Sequence, residues 1–158
     1  MKEKTASFAA GCFWGVEVRF RGINGVIDTA VGYMGGATDN PGYQQVCSGS
    51  TGHAESVQLR FDDTTVSYAE LLDAFFALHN PTTPDRQGPD FGSQYRSAVF
   101  CHDSEQQEEV ERKIAELNAS GEWQDPVVTQ VVEAGKFWRA EEYHQRYIEK
   151  NGGGFCSS

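Results

Sequence analysis

The chain has 158 residues, and 13 basic against 23 acidic side chains give it a net charge of −10. Such a surface repels phosphate backbones and anionic lipid, so neither nucleic-acid binding nor membrane-surface binding is expected. No apolar run approaches the ~20 residues that span a bilayer, and no signal-peptide pattern follows the first residues. We therefore expect one cytoplasmic domain over residues 1–158.

The first half of the chain alternates between strand and helix patterns. We predict a strand over residues 5–10, a helix over 12–20 and a β-rich segment over 26–33. Residues 35–52 are dense in Gly, Pro, Asn and Ser, which predicts a long loop. From 55 to 61 apolar and polar residues alternate, which is the pattern of a strand with one buried face.

The second half continues this alternation. Ser67 with Glu70 forms a capping-box pattern that opens a helix, and Ser104 with Gln107 forms another. The order predicts an α+β fold with one central mixed sheet covered by helices. Both long loops exceed what a connection requires, so we expect site residues in them. The remaining predicted elements are a loop over 80–94, a strand over 97–100, a helix over 104–118, a strand over 127–132, a helix over 140–150 and a mobile Gly-rich tail over 151–158.

The cysteines and histidines narrow the chemistry. The four cysteines form no CxxC pair, and the four histidines are scattered at 53, 79, 102 and 144, so no zinc site is predicted. A cysteine hydrolase needs a histidine base with an orienting partner, and none of these histidines has an obvious one. In a cytoplasmic chain we expect reduced thiols, of which one or two are reactive.

The strongest chemical signal is Cys12, which lies where the first strand ends and the first helix begins. Backbone amides and the helix dipole at such a position favour a thiolate, the nucleophilic form of cysteine. Phe13 and Trp14 follow, between glycines that let another molecule approach closely. The same three residues also suit a purely structural role in a core, and position alone leaves both interpretations open.

Four further residues are candidates for proton transfer or hydrogen bonding. Glu55 opens the alternating strand, where it is either a solvated charge or an acid whose pKa is raised by an apolar pocket. Asp90 and Tyr95 lie where the second long loop meets a strand, and Tyr33 ends another strand. Such tyrosines are by default half-buried rings with a satisfied hydroxyl, so these residues alone are a weak signal.

Taken together, these segments resemble one family, the A-type peptide methionine sulfoxide reductases. The sequence GCFWG at 11–15 is similar to the family signature. The likeness continues in order through VGY at 31–33, residues 43–55 with CSG and GHAE, RQG at 86–88, residues 90–97 and EEYHQ at 141–145.

The resemblance implies a ferredoxin-like α/β roll and reduction of the S epimer of methionine sulfoxide, free or protein-bound, as repair of oxidised proteins. Cys12 would attack the sulfur and become a sulfenic acid, while Glu55 would protonate the departing oxygen. Tyr33 and Tyr95 would donate hydrogen bonds to that oxygen. Asp90 would assist through water or by orienting its neighbours.

The resemblance also implies how substrate is held and how the enzyme is recycled. Phe13 and Trp14 would hold the substrate methyl group. Cys156, in the Gly-rich tail, would attack the oxidised Cys12 to form a Cys12–Cys156 disulfide, and thioredoxin would reduce that disulfide. The chain carries no flavin, nicotinamide or metal motif, which fits a mechanism that uses only thiols and no cofactor.

Three residues depart from the family pattern or have no role in it. Met34 replaces the small or hydroxylated residue expected in its segment, which predicts a changed pocket rim. Cys47 and Cys101 are interpreted as structural. Two other classes of function stay open at this point, a cysteine hydrolase and a module that binds oxidised methionine without turnover.

Overall fold

A computed structural model describes residues 2–151 of the chain. Residues 152–158 of the predicted tail, with Cys156, lie outside the described residues. Two 3-10 helices cover Ser93–Tyr95 and Glu142–His144. The other elements are β1 Glu3–Ala10, α1 Phe13–Arg21, β2 Val26–Met34, α2 Tyr43–Cys47, β3 Ala54–Asp62, α3 Tyr68–Ala77, β4 Arg86–Gln87, β5 Asp90–Phe91, β6 Ser97–Cys101, α4 Ser104–Ser120, β7 Gln130–Glu133, β8 Trp138–Arg139 and α5 Tyr147–Asn151.

Six strands form one mixed sheet in the order β7-β6-β1-β3-β2-β8. Strands β6 and β7 are parallel, whereas the other described neighbours in this sheet are antiparallel. The short strands β4 and β5 form a separate antiparallel pair. The predicted α+β fold with a central mixed sheet is therefore confirmed. Strand β1 lies in the interior of the sheet, and Cys12 follows its C-terminal end.

The main core lies between the sheet and the helices on one of its faces. Val57, Leu59 and Phe61 of β3 are at most 1% exposed, whereas Arg60 on the other face is exposed, as the predicted alternation requires. Nearer the start of the strand the prediction is wrong, because Ser56 on that other face is fully buried. Phe8 of β1 stacks on Phe20 of α1, with ring centroids 5.0 Å apart. Each fully buried side chain of this size contributes roughly 1.5–3 kcal/mol to folding, so these contacts fix α1 against the centre of the sheet.

The helix caps explain where two helices begin. The backbone N–H of Glu70 donates to Ser67 Oγ at 3.1 Å, as the capping-box pattern predicts for α3. For α4 the predicted cap at Ser104 is wrong by one residue. The side chain of Asp103 accepts from the backbone N–H of Gln106 at 2.8 Å instead. A carboxylate cap also interacts favourably with the positive end of the helix dipole.

The predicted helix over 140–150 is wrong, because a 3-10 helix covers Glu142–His144 and α5 begins only at Tyr147. The side chain of Gln145 accepts from the backbone N–H of Val31 and donates to the Val31 carbonyl at 2.8 and 2.9 Å. Arg146 adopts a left-handed backbone with φ 53°, and its N–H donates to Glu17 at 2.7 Å. These bonds to distant elements replace the bonds that a continuous helix would make.

Three other boundaries differ from the sequence prediction. The predicted loop over 35–52 contains α2, and the predicted loop over 80–94 contains the β4–β5 pair. Strand β7 begins three residues later than predicted. The backbone N–H of Val127 donates to the Asn118 side chain and that of Val128 donates to the Pro81 carbonyl, so neither joins the sheet.

Within residues 2–151, no helix is long and apolar enough to cross a membrane.

Candidate active site

Cys12 lies between the central strand β1 and the first residue of α1. Gly11 has φ 97°, a left-handed conformation that turns the chain out of the strand. Cys12 then occupies the cap position of α1 with an extended backbone, φ −60° and ψ 121°. Its side chain is 8% exposed. The fold therefore places this sulfur at the amino-terminal end of a helix, which is the position predicted from the sequence.

Glu55 lies against the start of the same helix. It is the second residue of β3, it pairs with Tyr33 of β2, and it is 1% exposed. Its Oε1 accepts a hydrogen bond from the backbone N–H of Phe13, the residue after Cys12, at 3.2 Å. Its Oε2 is buried and has no hydrogen-bond partner among residues 2–151. The interpretation of Glu55 as a solvated charge is therefore wrong.

The surroundings of Glu55 favour its neutral form. Burial raises the pKa of Glu55 to about 8, the Phe13 amide partly opposes this rise, and the charge of Asp90 adds to it. A carboxyl group with that pKa keeps its proton at pH 7, because its anion would lose more hydration than one amide restores. The site therefore holds a carboxylic acid, able to donate a proton, next to the residue that follows Cys12.

Two tyrosines lie near Glu55 from other elements. Burial raises the pKa of Tyr95 to about 12, and the charge of Glu55 contributes to that rise. Burial and Glu55 likewise raise the pKa of Tyr43, at the start of α2. Both hydroxyls are therefore protonated donors at pH 7. Sequence reasoning gave Tyr43 no role because it lies in a predicted loop, and its only signal was a place in a segment that resembles the family.

Tyr33 is differently placed from the other two tyrosines. Its ring is fully buried, and its hydroxyl donates to Glu141 Oε1 at 2.8 Å. Glu141 Oε2 accepts from the backbone N–H of Tyr43 at 3.0 Å. Burial alone would raise the pKa of Glu141, but hydrogen bonds that include those from Tyr43 and Tyr33 lower it. A carboxylate at Glu141 thus connects Tyr33 to the helix that carries Tyr43.

Phe13 and Trp14 form an aromatic wall beside Cys12. Phe13 is 1% exposed and stacks on Tyr43 with centroids 6.4 Å apart. The half-buried Trp14 donates through its indole N–H to His144 Nδ1 at 2.9 Å, and it stacks on Tyr147 at 3.8 Å. These two contacts fix the orientation of the indole. Sequence reasoning missed His144 and Tyr147, because a continuous helix over 140–150 predicts the wrong orientation for these side chains.

Asp90 lies on the other side of Glu55, in the β4–β5 pair. It is half-buried, and burial raises its own pKa. Its charge raises the pKa of both Glu55 and Tyr95. Cys12, Glu55, Asp90 and Tyr95 thus come from four separate segments to one region of the molecule.

Met34 does not lie at this site. It is fully buried in a second cluster with Ala9, Ala54, Ala98 and Phe100, on the sheet face opposite the main core. Successive residues of a strand point to opposite faces, so Tyr33 and Met34 cannot line one pocket. The expectation that Met34 changes the pocket rim is therefore wrong.

The other two described cysteines are free thiols with little thiolate character. Burial raises the pKa of Cys101 to about 11. Burial also raises the pKa of Cys47, although a hydrogen bond from the Tyr43 hydroxyl opposes the rise. Because the thiolate is the reactive form, both are poor nucleophiles at pH 7. Their predicted structural role agrees with these surroundings.

Two buried histidines use both ring nitrogens in hydrogen bonds to the surrounding protein. His53 accepts from the Gly36 N–H at 3.0 Å, and its other nitrogen bonds the Thr38 carbonyl at 2.7 Å. A Cβ at Gly36 would lie 2.4 Å from the His53 backbone nitrogen, so this contact requires a glycine. His79 bonds the Phe75 carbonyl and Ser97 Oγ, and burial lowers its pKa to about 4. Within residues 2–151, no group of three His, Cys, Asp or Glu is placed to hold a metal ion.

Comparison with known proteins agrees with this geometry. The family model of peptide methionine sulfoxide reductase matches residues 4–158. A peptide methionine sulfoxide reductase MsrA from Methanoculleus marisnigri is 57% identical over 151 residues, which cover 96% of this chain and 92% of the relative. An MsrA from Acidobacterium capsulatum is 54% identical over 151 residues, which cover 96% and 97%.

Solved structures give the same assignment. Mxr1 from Saccharomyces cerevisiae in reduced form superimposes with a TM-score of 0.90 at 37% identity, and the match covers 98% of this chain and 88% of Mxr1. Mxr1 in complex with Trx2 matches with a TM-score of 0.65 at 25% identity over 92% of this chain and 85% of that one. With a family model and relatives that each match nearly all of its length, the chain belongs to the peptide methionine sulfoxide reductase family.

Proposed function

We propose that this chain reduces the S epimer of methionine sulfoxide, free or within proteins, to methionine, and so repairs oxidised proteins. The observation that carries this proposal is the buried, neutral Glu55, which accepts from the amide directly after Cys12. A sulfoxide oxygen is a poor leaving group unless it is protonated as the sulfur is attacked, so a nucleophilic thiol needs an acid beside it. Cys12 and Glu55 form such a pair.

In the first step the Cys12 sulfur attacks the sulfoxide sulfur while Glu55 donates a proton to the oxygen. The oxygen then passes from the substrate to Cys12. The products are methionine, whose sulfur is reduced by two electrons, and a sulfenic acid on Cys12, which is oxidised by two electrons. No other oxidant or reductant enters this step.

The neighbouring side chains hold the substrate and its oxygen. Tyr95 donates a hydrogen bond to the sulfinyl oxygen. Tyr43 is a second donor, because its hydroxyl lies near Glu55 and its present partner, the Cys47 thiol, is a weak acceptor that the sulfinyl oxygen can replace. Tyr33 acts through Glu141, which its hydroxyl already binds, and so positions Tyr43. Asp90 helps to keep the proton on Glu55 through its charge.

Phe13 and Trp14 receive the substrate methyl group. This role is supported by the way the indole is held, between a hydrogen bond to His144 and a stack on Tyr147. An aromatic wall fixed from behind needs no further ordering when an apolar group binds, which lowers the entropic cost of binding.

A second thiol completes the cycle. The Cys156 thiol attacks the sulfenic sulfur of Cys12, a Cys12–Cys156 disulfide forms and water leaves. Thioredoxin then reduces this disulfide by exchange and is itself oxidised. The yeast relative crystallised in complex with Trx2 supports such a reductant. We further propose one domain over residues 1–158 and a cytoplasmic location, which fractionation of cells that express the chain would test.

A single-turnover experiment tests the proposal. Reduced enzyme is mixed with separated epimers of methionine sulfoxide without thioredoxin, and the products are analysed by mass spectrometry. We expect one methionine per enzyme from the S epimer and a Cys12–Cys156 bond. Cys12→Ser should release none, whereas Cys101→Ala, the matched control, should behave like the wild type. Methionine release by Cys12→Ser would contradict the mechanism.

The same experiment separates the other classes of function. Cys156→Ser should release one methionine and then stall, and repeated turnover with thioredoxin would refute the tail relay. A binding module would bind the sulfoxide but release no methionine. A hydrolase would cleave thioesters or peptides and leave the sulfoxide intact.

A further inference from the structure

Helix α5 packs against one face of α1, the helix that begins directly after Cys12. Trp14, Glu17 and Arg21 are three and four positions apart in α1, so their side chains lie on the same face of that helix. We call these three residues the docking face. Each of them contacts the segment 146–149, and each uses a different kind of interaction. The segment is therefore held to α1 at three points.

The first two contacts fix the place where the chain enters α5. The ring of Tyr147 stacks on Trp14 with an interplanar angle of 9° and centroids 3.8 Å apart. The buried Glu17 side chain accepts from the backbone N–H of Arg146 at 2.7 Å. One contact is apolar and the other is polar, so together they fix both the distance and the direction of the chain at this point.

The third contact is an ion pair further along both helices. Arg21 Nε lies 3.2 Å from Glu149 Oε2, and their side chains are 27% and 56% exposed. The Arg21 guanidinium also lies 3.6 Å from Asp28 and donates to Thr29 Oγ1 at 3.2 Å, so β2 holds it in place. An ion pair whose cation is already ordered loses less side-chain entropy when it forms. Arg21 therefore presents a fixed positive charge to α5.

We propose that the docking face positions the chain for the second step of the cycle, in which the Cys156 thiol attacks the oxidised Cys12. This inference rests on the proposed function and deepens it. With α5 docked, the last anchored residue is Asn151, five positions before Cys156. With α5 released, the last anchored residue is Gln145, which its bonds to Val31 hold eleven positions before Cys156.

The number of residues between a thiol and its anchor sets how often two sulfurs meet. The effective concentration of a tethered group falls roughly as the −3/2 power of the tether length. Docking, which shortens the tether from eleven residues to five, therefore raises the effective concentration of Cys156 at Cys12 about threefold. The stack of Tyr147 on Trp14 supports this direction, because Trp14 lies two positions after Cys12.

The test measures the effective concentration at equilibrium. The full chain is incubated with mixtures of reduced and oxidised glutathione. One glutathione disulfide oxidises the two enzyme thiols to the Cys12–Cys156 disulfide and leaves as two glutathione thiols. After an acid quench and alkylation of the remaining thiols, peptide mapping by mass spectrometry gives the fraction of this disulfide. Single-turnover release of methionine from S-methionine sulfoxide is measured in parallel as a report on the first step.

Substitutions at the ion pair should change the effective concentration and leave methionine release at the wild-type rate. Glu149→Ala should lower the effective concentration about twofold, as expected for the loss of a partly exposed ion pair. Glu149→Lys places two positive charges together and should approach the full loss of about threefold. Arg21→Ala added to Glu149→Ala should cause no further decrease, because either substitution alone removes the pair.

Lys113→Ala is the matched control. Lys113 of α4 lies 2.6 Å from Asp73 of α3, and their side chains are 28% and 61% exposed, close to the values for the docking pair. This ion pair joins two helices that do not include α1 or α5. Its loss should change neither the effective concentration nor the release of methionine.

Three results would overturn the inference. They are an unchanged or increased effective concentration in Glu149→Lys, an equal decrease in Lys113→Ala, and a slower release of methionine that accompanies the decrease. A failure of the proposed function gives a different result. In that case the wild type itself releases no methionine or forms no Cys12–Cys156 disulfide, whereas a failure of the docking inference leaves the wild type active and changes only the behaviour of the variants.

Discussion

Two glutamates with the same exposed fraction have different roles in this molecule. Glu17 of α1 and Glu55 of β3 are each 1% exposed. Glu17 accepts from the Thr29 hydroxyl through one oxygen and from the Arg146 N–H through the other, both at 2.7 Å. Glu55 accepts one bond, from the Phe13 N–H, and its second oxygen has no partner within residues 2–151.

The difference in partners, together with the deeper burial of Glu55, sets the difference in chemistry. Burial raises the pKa of both side chains, but at Glu17 the hydrogen bonds from Thr29 and Arg146 and the charge of Arg21 oppose the rise. At Glu55 one amide opposes it, and the pKa reaches about 8. Glu17 therefore fastens the segment before the tail onto α1, whereas Glu55 keeps a proton that it can donate. The number of partners, and not burial alone, separates an anchor from an acid.

The largest expected effect is on the reaction rate when each glutamate is replaced by its amide. Glu55→Gln should slow the first release of methionine by on the order of 10²-fold or more, the usual range for a lost general acid. Glu17→Gln, the matched control, should stay within about threefold because Glu17 donates no proton. Rapid-quench single-turnover kinetics measure both rates. Equal decreases in the single-turnover rate of the two variants would contradict the assignment of Glu55 alone as the proton donor.

The pH dependence of the same rate should reveal the acid. Because Glu55 must carry its proton, the wild-type rate should fall above about pH 8, by about tenfold for each pH unit. Glu55→Gln should lack this alkaline decrease, while Glu17→Gln should keep it. The measurement is a single-turnover rate from pH 6 to 10. A wild-type rate that is level from pH 8 to 10 would contradict the assignment.

A smaller effect should distinguish the tyrosines. Tyr43→Phe and Tyr95→Phe should each lower the single-turnover rate about tenfold, as expected when one hydrogen bond worth ~1.4 kcal/mol in the transition state is lost. Tyr33→Phe removes a hydroxyl that already binds Glu141, so we expect a loss below about threefold. A Tyr33→Phe loss that exceeds those of the other two variants would place Tyr33 on the oxygen instead.

The last effect is on stability and leaves the reaction rate aside, and its sign should differ between the two glutamates. Glu17→Gln should lower the free energy of unfolding at pH 7 by about 1–3 kcal/mol, because an amide cannot accept both existing bonds. Between its ordinary pKa of 4.5 and about 8, Glu55 loses its proton in the unfolded state but keeps it in the folded state. Stability contributed by Glu55 therefore falls as pH rises through that range.

The Glu55→Gln variant should consequently gain stability relative to the wild type as pH rises from 5 to 8, on the order of 1 kcal/mol or more. Its amide oxygen can still accept from Phe13, so the one existing hydrogen bond is kept. Urea unfolding of the wild type and both variants at several pH values provides the comparison. If Glu17→Gln instead raised the free energy of unfolding as pH rises, Glu17 would be the buried acid, and the roles assigned to the two glutamates would be wrong.

Several of these features could be predicted from the sequence because they depend on local patterns. Glu55 has the same parity as Val57, Leu59 and Phe61, and strand alternation therefore places it on the buried face. Cys12 follows Gly11, a residue whose presence in the sequence indicates a turn between the first strand and the first helix. The order of strands and helices is enough to predict an α+β fold.

Other features depend on contacts between residues far apart in the chain, which no local pattern encodes. The division of the last predicted helix follows from the bonds between Gln145 and Val31, 114 residues apart. The hydroxyl of Tyr33 has its partner in Glu141, 108 residues away. Glu141 also accepts from the backbone N–H of Tyr43, so the position of Tyr43 depends on the same carboxylate. Tertiary contacts therefore prevent a continuous helix over residues 140–150, and they hold Tyr33 and Tyr43 in different surroundings.

The most direct test of the account is a titration of the Glu55 carboxyl group itself. Carbon-13 NMR of the protein labelled at glutamate side-chain carboxyls, with the resonance assigned by its absence in Glu55→Gln, would follow the group from pH 4 to 10. We predict a protonated carboxyl at pH 7 that titrates near pH 8. A Glu55 that titrates near its ordinary value of 4.5 would be a carboxylate at pH 7, unable to protonate the sulfoxide oxygen, and would contradict the mechanism.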